Sequence, residues 1–237
     1  RRINMYIYGK NVVKEALLNN KKINKAYICK DFSDKNIISD LQKRNICIDY
    51  VTKFELDKLE NGNHQGIILS VPEFEYSSLD QLLVSDKPFL VILDHLEDPH
   101  NFGAIIRTCE AAGVDGIIIP KDRSVSVNST VMKTSAGALN NMKICMVTNL
   151  NSTIKELKKN GIWIIGTDMV NSVSYTKIDY DIPLALVIGS EGFGISRLVR
   201  ESCDYVVNIP MVGKVNSLNA SVAAGVLIYK IFEKRNF

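Results

Sequence analysis

This 237-residue chain has one Trp, three His, six Pro and a formal charge of only +3. It also lacks a C-x-x-C pair and any apolar run near the roughly 18 to 20 residues that span a bilayer. Each shortage removes a class of function. The five cysteines, Cys29, Cys47, Cys109, Cys145 and Cys203, are odd in number and widely spaced, so they read as reduced thiols in a cytosol-like compartment, cytoplasmic or organellar. No Cys or further His joins His95, His100 and their neighbours Asp94 and Asp98, and Pro99 interrupts any shared helical face. No metal is expected there. The small positive excess is not evenly spread. Residues 1 to 75 carry 13 Lys/Arg against 10 Asp/Glu, whereas the rest carries 16 of each. The excess therefore sits where a contact with phosphates would use it.

What is present is an alternation of helix and strand. Residues 1–71 read as a small α/β module, with helices at 9–19, 37–41 and 54–59 and strands at 26–29, 46–51 and 66–71. Residues 72–88, with two prolines, acidic residues and a short apolar patch, read as a linker carrying one short helix. From Phe89 the β-α-β pattern repeats to the end of the chain. A parallel sheet with helices on both faces is expected over 89–237.

Three apolar runs break into polar loops where parallel strands should end: 89–113, 184–195 and 209–231. Ligands in open α/β sheets sit beyond such strand ends, so the three loops outline one site. In the last of them a polar Asn-Ser-Leu-Asn turn stands before a long apolar helix. Ser217 and Asn219 add side-chain donors and acceptors to the free backbone groups at the helix start. Small residues from Ala220 to Gly225 then predict close packing, between subunits among the possibilities. Gly189, Gly192 and Gly194 fit neither the G-x-G-x-x-G spacing of dinucleotide sites nor the G-x-S-x-G of a nucleophile elbow.

The ordered motifs N-F-G-A-I-I-R (101–107), I-G-S-E-G-F-G (188–194) and I-P-M (209–211) with S-L-N (217–219) resemble those of the SpoU/TrmH ribose 2′-O-methyltransferases of the SPOUT superfamily. D-P-H-N (98–101) and P-K-D-R-S (120–124) more narrowly resemble the group that methylates a guanosine of 23S ribosomal RNA, the RlmB group. The N-terminal module, ending in H-Q-G-I (64–67), resembles that group's RNA-binding domain of L30e-like fold. The resemblance implies a parallel sheet closed by a deep trefoil knot, S-adenosylmethionine as cofactor, RNA as substrate and a homodimer. It places the cofactor against Gly189, Ile209 and Leu218, with Thr167 and Met211 nearby and Leu186 beside the adenine slot. Arg107 matches the catalytic arginine, and Asn101, Glu191, Ser217 and Asn219 complete the candidate catalytic set. A guanidinium is a poor base with a pKa above about 12, so Arg107 is expected to hold phosphate and stabilise the developing alkoxide. Asn101 serves either to orient Arg107 or the ribose or to cap its helix, and Glu191 either to fix its loop or to orient Arg107. Lys10, Lys21, Lys22 and Lys25 are the candidate RNA contacts, whereas Tyr6, Tyr8 and Tyr27 are expected to fill a small core. Alternatives to a ribosomal-RNA guanosine are the same chemistry on transfer RNA and a non-catalytic RNA-binding scaffold.

Overall fold

The computed structural model describes residues 4–215 and 217–237. Residues 1–3 and Asn216, the first residue of the polar turn, lie outside the described residues. The chain forms two compact units that divide after Glu75.

The first unit contains β1 (Asn4–Tyr8), α1 (Lys10–Leu18), β2 (Lys25–Cys29), α2 (Lys35–Lys43), β3 (Ile48–Val51), α3 (Lys53–Leu59) and β4 (Ile67–Pro72). Its sheet has the order β1-β4-β2-β3, with only the β2/β3 pair parallel. Helix starts follow their caps. Asp34 accepts the Ile37 amide ahead of α2, and Thr52 and Glu55 form a reciprocal capping box on α3. Strand β1 is absent from the sequence reading, because only Ile7 in its second half is buried and its neighbours Tyr6 and Tyr8 are half-exposed.

The second unit contains β5 (Phe89–Asp94), α4 (Pro99–Ala111), β6 (Gly116–Pro120), α5 (Ser129–Thr134), β7 (Ile144–Val147), α6 (Leu150–Lys159), β8 (Trp163–Thr167), β9 (Val173–Ser174), β10 (Leu184–Gly189), α7 (Arg197–Glu201), β11 (Tyr205–Asn208) and α8 (Ala220–Asn236). The strand order is β7-β6-β5-β10-β8-β11-β9, and every pairing is parallel. All side chains of β5 and β10 are buried, as both faces of a parallel sheet demand. Leu90, Ile92, Ala185 and Val187 pack with α6 and α7 on one side. The alternate residues Val91, Leu93, Leu186 and Ile188 point to the other face. Helices α4 and α8 pack against each other, and α8 also meets β10.

The segment 72–88, expected as a linker, differs from a free connection. Ser77 bridges to Cys145 alongside β7, the Tyr76 hydroxyl accepts the Val127 amide, and a 3₁₀ turn at Leu79–Leu82 buries Leu82 completely in the second unit's core. Gly116 admits that side chain: a Cβ there would lie 2.3 Å from Leu82 Cγ. Leu82→Ala is expected to cost about 2–5 kcal/mol, the usual range for a fully buried leucine. Urea unfolding checks this, and a loss below about 0.5 kcal/mol would mean the segment is only a tether.

All five cysteines are free thiols. Burial pushes the Cys203 thiol up to about 12 and the Cys109 thiol well above its ordinary range, so both are inert hydrophobes rather than nucleophiles.

Candidate active site

The parallel register sets the strand ends side by side. Gly189 stands opposite Asp94, and Val207 opposite Thr167, so β5, β10, β8 and β11 all finish on one edge of the sheet. The loops that leave these ends carry the three motifs.

Helix α4 begins at Pro99, and its N-cap is Asp98, whose carboxylate accepts the amides of His100 at 3.1 Å and Asn101 at 3.2 Å. Asn101 is thus not a cap. It sits at the third helical position, 6% exposed, and its Nδ2 donates to Glu191 Oε1 at 2.6 Å. The cap of α8 is Asn219, whose Oδ1 accepts the amides of Ser221 and Val222. Its Nδ2 is left free to donate to the same Glu191 oxygen at 2.7 Å. One carboxylate oxygen therefore ties the first and third motifs to the second.

The loop that presents Glu191 is fixed by its own backbone. Ser190 and Gly194 exchange N–H···O bonds of 3.1 and 3.0 Å, closing a tight turn against the end of β10. Gly189 must be glycine for this: a Cβ would fall 2.1 Å from the Gly194 carbonyl carbon and 2.4 Å from the Ile195 nitrogen. On the far side of the turn, the buried Asp94 accepts the Ser196 amide at 2.6 Å and pairs with His95 Nδ1 at 2.5 Å.

Beside this cluster lies a cavity of about 520 Å³, bordered by Thr167, Gly189, Ile209, Met211, Ser217 and Leu218. That volume falls in the range of about 300–1,000 Å³ common to small-molecule sites. Between Met211 and Leu218 the backbone makes no backbone hydrogen bond among the described residues. Unpaired donors and acceptors along a cavity wall are available to a polar ligand. Apolar surface comes from Ile188, Leu218, Ala223 and Leu227. Cavity walls of this kind fit a nucleoside-bearing cofactor, with Leu218 and Leu227 toward a flat ring and the loop backbone toward its polar edges.

Leu186, expected beside the adenine slot, does not border the cavity. It lies three residues before the strand end, about 10 Å down the sheet, fully buried between Val91 and Ile165. Thr167 borders the cavity, but its hydroxyl is spent on the Val187 carbonyl. Arg107 also stands apart. It is exposed on α4, does not border this cavity and makes no hydrogen bond or ion pair among the described residues. Six residues of helix turn it about 120° from Asn101 and carry it about 9 Å along the axis. Neither Asn101 nor Glu191 orients it within the chain. Leu227, Ala223 and Phe193 escaped the sequence reading. Phe193 was legible in principle, as the one large apolar side chain in a glycine-flanked loop; it is 94% exposed.

Comparison with known proteins agrees with this geometry. Residues 88–229 match the SpoU rRNA Methylase family, and residues 6–77 match the RNA 2′-O ribose methyltransferase substrate binding domain. The chain belongs to the SpoU rRNA methylase family. It is 45% identical over 239 residues to YacO of Bacillus subtilis strain 168, covering 98% of this chain and 96% of that one; the name YacO carries assigns it to the TrmH family of tRNA/rRNA methyltransferases. A similarly named protein of Staphylococcus saprophyticus is 47% identical over 240 residues, covering 98% and 96%. Among solved structures, the SpoU methyltransferase AviRb of Streptomyces viridochromogenes, in complex with AdoMet, superimposes with a TM-score of 0.84 at 23% identity, covering 98% of this chain and 90% of its own. The TrmH/SpoU tRNA modifying enzyme of A. aeolicus gives a TM-score of 0.58 at 32% identity, covering 65% and 79%.

In this SpoU protein the N-terminal lysines are unequal. Lys25 pairs with Asp49 at 2.6 Å, and Lys10 lies over the Phe32 ring at 5.3 Å. Burial lowers the pKa of Lys21, partly offset by Glu15. Lys22 is the exposed one of the four. Tyr6 and Tyr27 meet edge to face at 6.2 Å. His64 holds the turn before β4: its Nδ1 accepts the Gly66 amide, so Nε2 carries the proton donated to Asp57. Among the described residues no group of three or more His, Cys, Asp or Glu is placed to hold a metal ion.

Proposed function

We propose that this protein methylates the ribose 2′-oxygen of a guanosine in large-subunit ribosomal RNA, using S-adenosylmethionine as donor. The observation that carries this reading is Glu191 joined at once to Asn101 and Asn219 beside the 520 Å³ cavity. The donor, when bound, supplies a methyl group already activated on a sulfonium. What remains for the chain is alignment, while the 2′-hydroxyl proton leaves to solvent and the donor departs as S-adenosylhomocysteine. Alignment alone supplies as much as roughly 7–11 kcal/mol in favourable cases. The backbone of Met211, Ser217 and Leu218 and the turn at Gly189 hold the donor's polar edges. Glu191 and Asn219 present a rigid wall against which the ribose is placed, braced from behind by the buried Asn101, with Ser217 on the same cavity rim. Arg107 holds RNA phosphate and stabilises the alkoxide.

Because Arg107 stands apart from the cluster in its own chain, we place it in the reaction centre of a second copy. A homodimer is supported by α8, whose Ala220 and Ala224 are spent inside the chain while Val222, Val226 and Tyr229 form an exposed apolar stripe. The expected close approach at Gly225 does not occur within the chain, where a Cβ would meet nothing within 4 Å. The same reading includes a trefoil knot around the 209–219 segment, as the family resemblance implies.

The substrate is tested by incubating the protein with methyl-labelled S-adenosylmethionine and, separately, unmodified large-subunit rRNA and bulk tRNA, followed by nucleoside digestion. Label in 2′-O-methylguanosine from rRNA is expected. Label from tRNA alone would move the reading to transfer RNA. Absence of both label and cofactor binding would make the protein a scaffold.

A further inference from the structure

The turn 190–194 has a second cavity on its other side, about 510 Å³, and Ser190, Glu191, Phe193 and Gly194 form a wall common to both. Four carboxylates line it: Asp94, Glu97, Asp98 and Glu191. Three are spent. Asp94 holds the Ser196 amide and His95, Asp98 caps α4, and Glu191 holds the two asparagines. Glu97 is exposed and, among the described residues, has no hydrogen bond or ion pair. Opposite in charge and equally without a partner among the described residues is Arg123, held at a φ of 51° on the loop after β6. Phe193 lines the same space with its ring uncovered.

A bare anion is a poor occupant for a cavity with so many carboxylates, and among the described residues no group of three or more His, Cys, Asp or Glu is placed to hold a metal ion. The combination suits a flat, neutral ring with two adjacent donors on one edge and a phosphate attached. Guanine alone among the four RNA bases has that edge, through N1–H and the 2-amino group; adenine and cytosine offer one amino donor beside an acceptor, and uracil one N–H between two carbonyls. A carboxylate accepts two parallel N–H donors.

We propose that this second cavity seats the target guanine, stacked on Phe193, with Glu97 accepting N1–H and the 2-amino group and Arg123 holding the nucleotide's phosphate. The inference rests on the proposed ribose methylation and adds the residues that choose the base. With the base on this side of the shared turn and the cofactor on the other, the ribose falls at Glu191 and Asn219. Base stacking is sequence-tolerant, so Phe193 contributes affinity and Glu97 contributes choice.

The test has two independent arms. Saturation-transfer NMR is run on protein saturated with S-adenosylhomocysteine, with guanosine, inosine and adenosine 5′-monophosphates as probes. Guanosine monophosphate is expected to bind at least about tenfold more tightly than inosine monophosphate, which lacks only the 2-amino group, in line with one charge-assisted hydrogen bond. Glu97→Gln is expected to erase that preference, and Phe193→Ala to weaken all three probes alike. Equal binding of the three probes, no binding at all, or a preference that survives Glu97→Gln overturns the inference. The second arm is methyl transfer to RNA by the wild type and Glu97→Gln. Transfer that is unchanged in Glu97→Gln, or that enters a nucleoside other than guanosine, overturns the base assignment and leaves ribose methylation standing. A wild type that transfers no methyl group to any RNA sinks the proposed function itself.

Discussion

Arg107→Ala is expected to lower methyl transfer by about 10²–10³-fold or more, the usual effect of removing one donor to a developing oxyanion. Binding of S-adenosylmethionine should be unchanged, because Arg107 lines no part of the cofactor cavity. Titration calorimetry and initial rates separate the two effects. Full activity in the variant would remove Arg107 from catalysis; lost cofactor binding would show that it acts on the fold. The position of the side chain adds a sharper expectation. If Arg107 serves the partner's site, each site needs a cavity from one chain and an arginine from the other. Mixing Arg107→Ala with a second inactive variant that cannot bind cofactor then regenerates one intact site per mixed dimer. Random exchange makes about half the dimers mixed, so about a quarter of wild-type activity should return. No recovery after subunit exchange would place the arginine in its own chain's site.

Gly189→Ala supplies that second variant and is the other large effect. Its Cβ has no room, since the atoms it meets, at 2.1 to 2.4 Å, are backbone and cannot rotate away. The turn must open, and with it go the Ser190–Gly194 bonds and the position of Glu191. The expected result is loss of S-adenosylmethionine binding by at least about 100-fold with the second unit still folded, because the strand core of β5 and β10 lies below the change. Calorimetry with circular dichroism checks both halves. Binding that stays within about threefold of wild type would mean the turn does not shape the cavity.

The sheet was legible because parallel strands, buried on both faces, read as continuous apolar runs such as 89–93 and 184–188. So were the strand-end loops and, from the three motifs, the meeting of residues 101, 189, 191, 209 and 217–219. What escaped has definite causes. Leu82 lies in a polar, proline-flanked stretch, so its burial depends on the gap that Gly116 leaves far along the chain. Leu186 shares a strand and a face with the site-bordering Ile188, and only depth along the strand separates their roles. The role of Glu191 as acceptor for two asparagines belongs to tertiary structure, since its partners lie 90 and 28 residues away. Arg107 was found by motif, but helical geometry alone places it away from Asn101.

The proposed role of the cluster at Glu191 is to direct methyl transfer to a ribose oxygen. Alkaline hydrolysis of labelled rRNA product tests it most directly, because a 2′-O-methyl group removes the hydroxyl that cleaves the neighbouring phosphodiester. Label is expected to survive in alkali-stable dinucleotides, and Glu191→Ala to abolish it. Label released as mononucleotides would mean that a base is methylated instead, and would rule out the ribose as the acceptor.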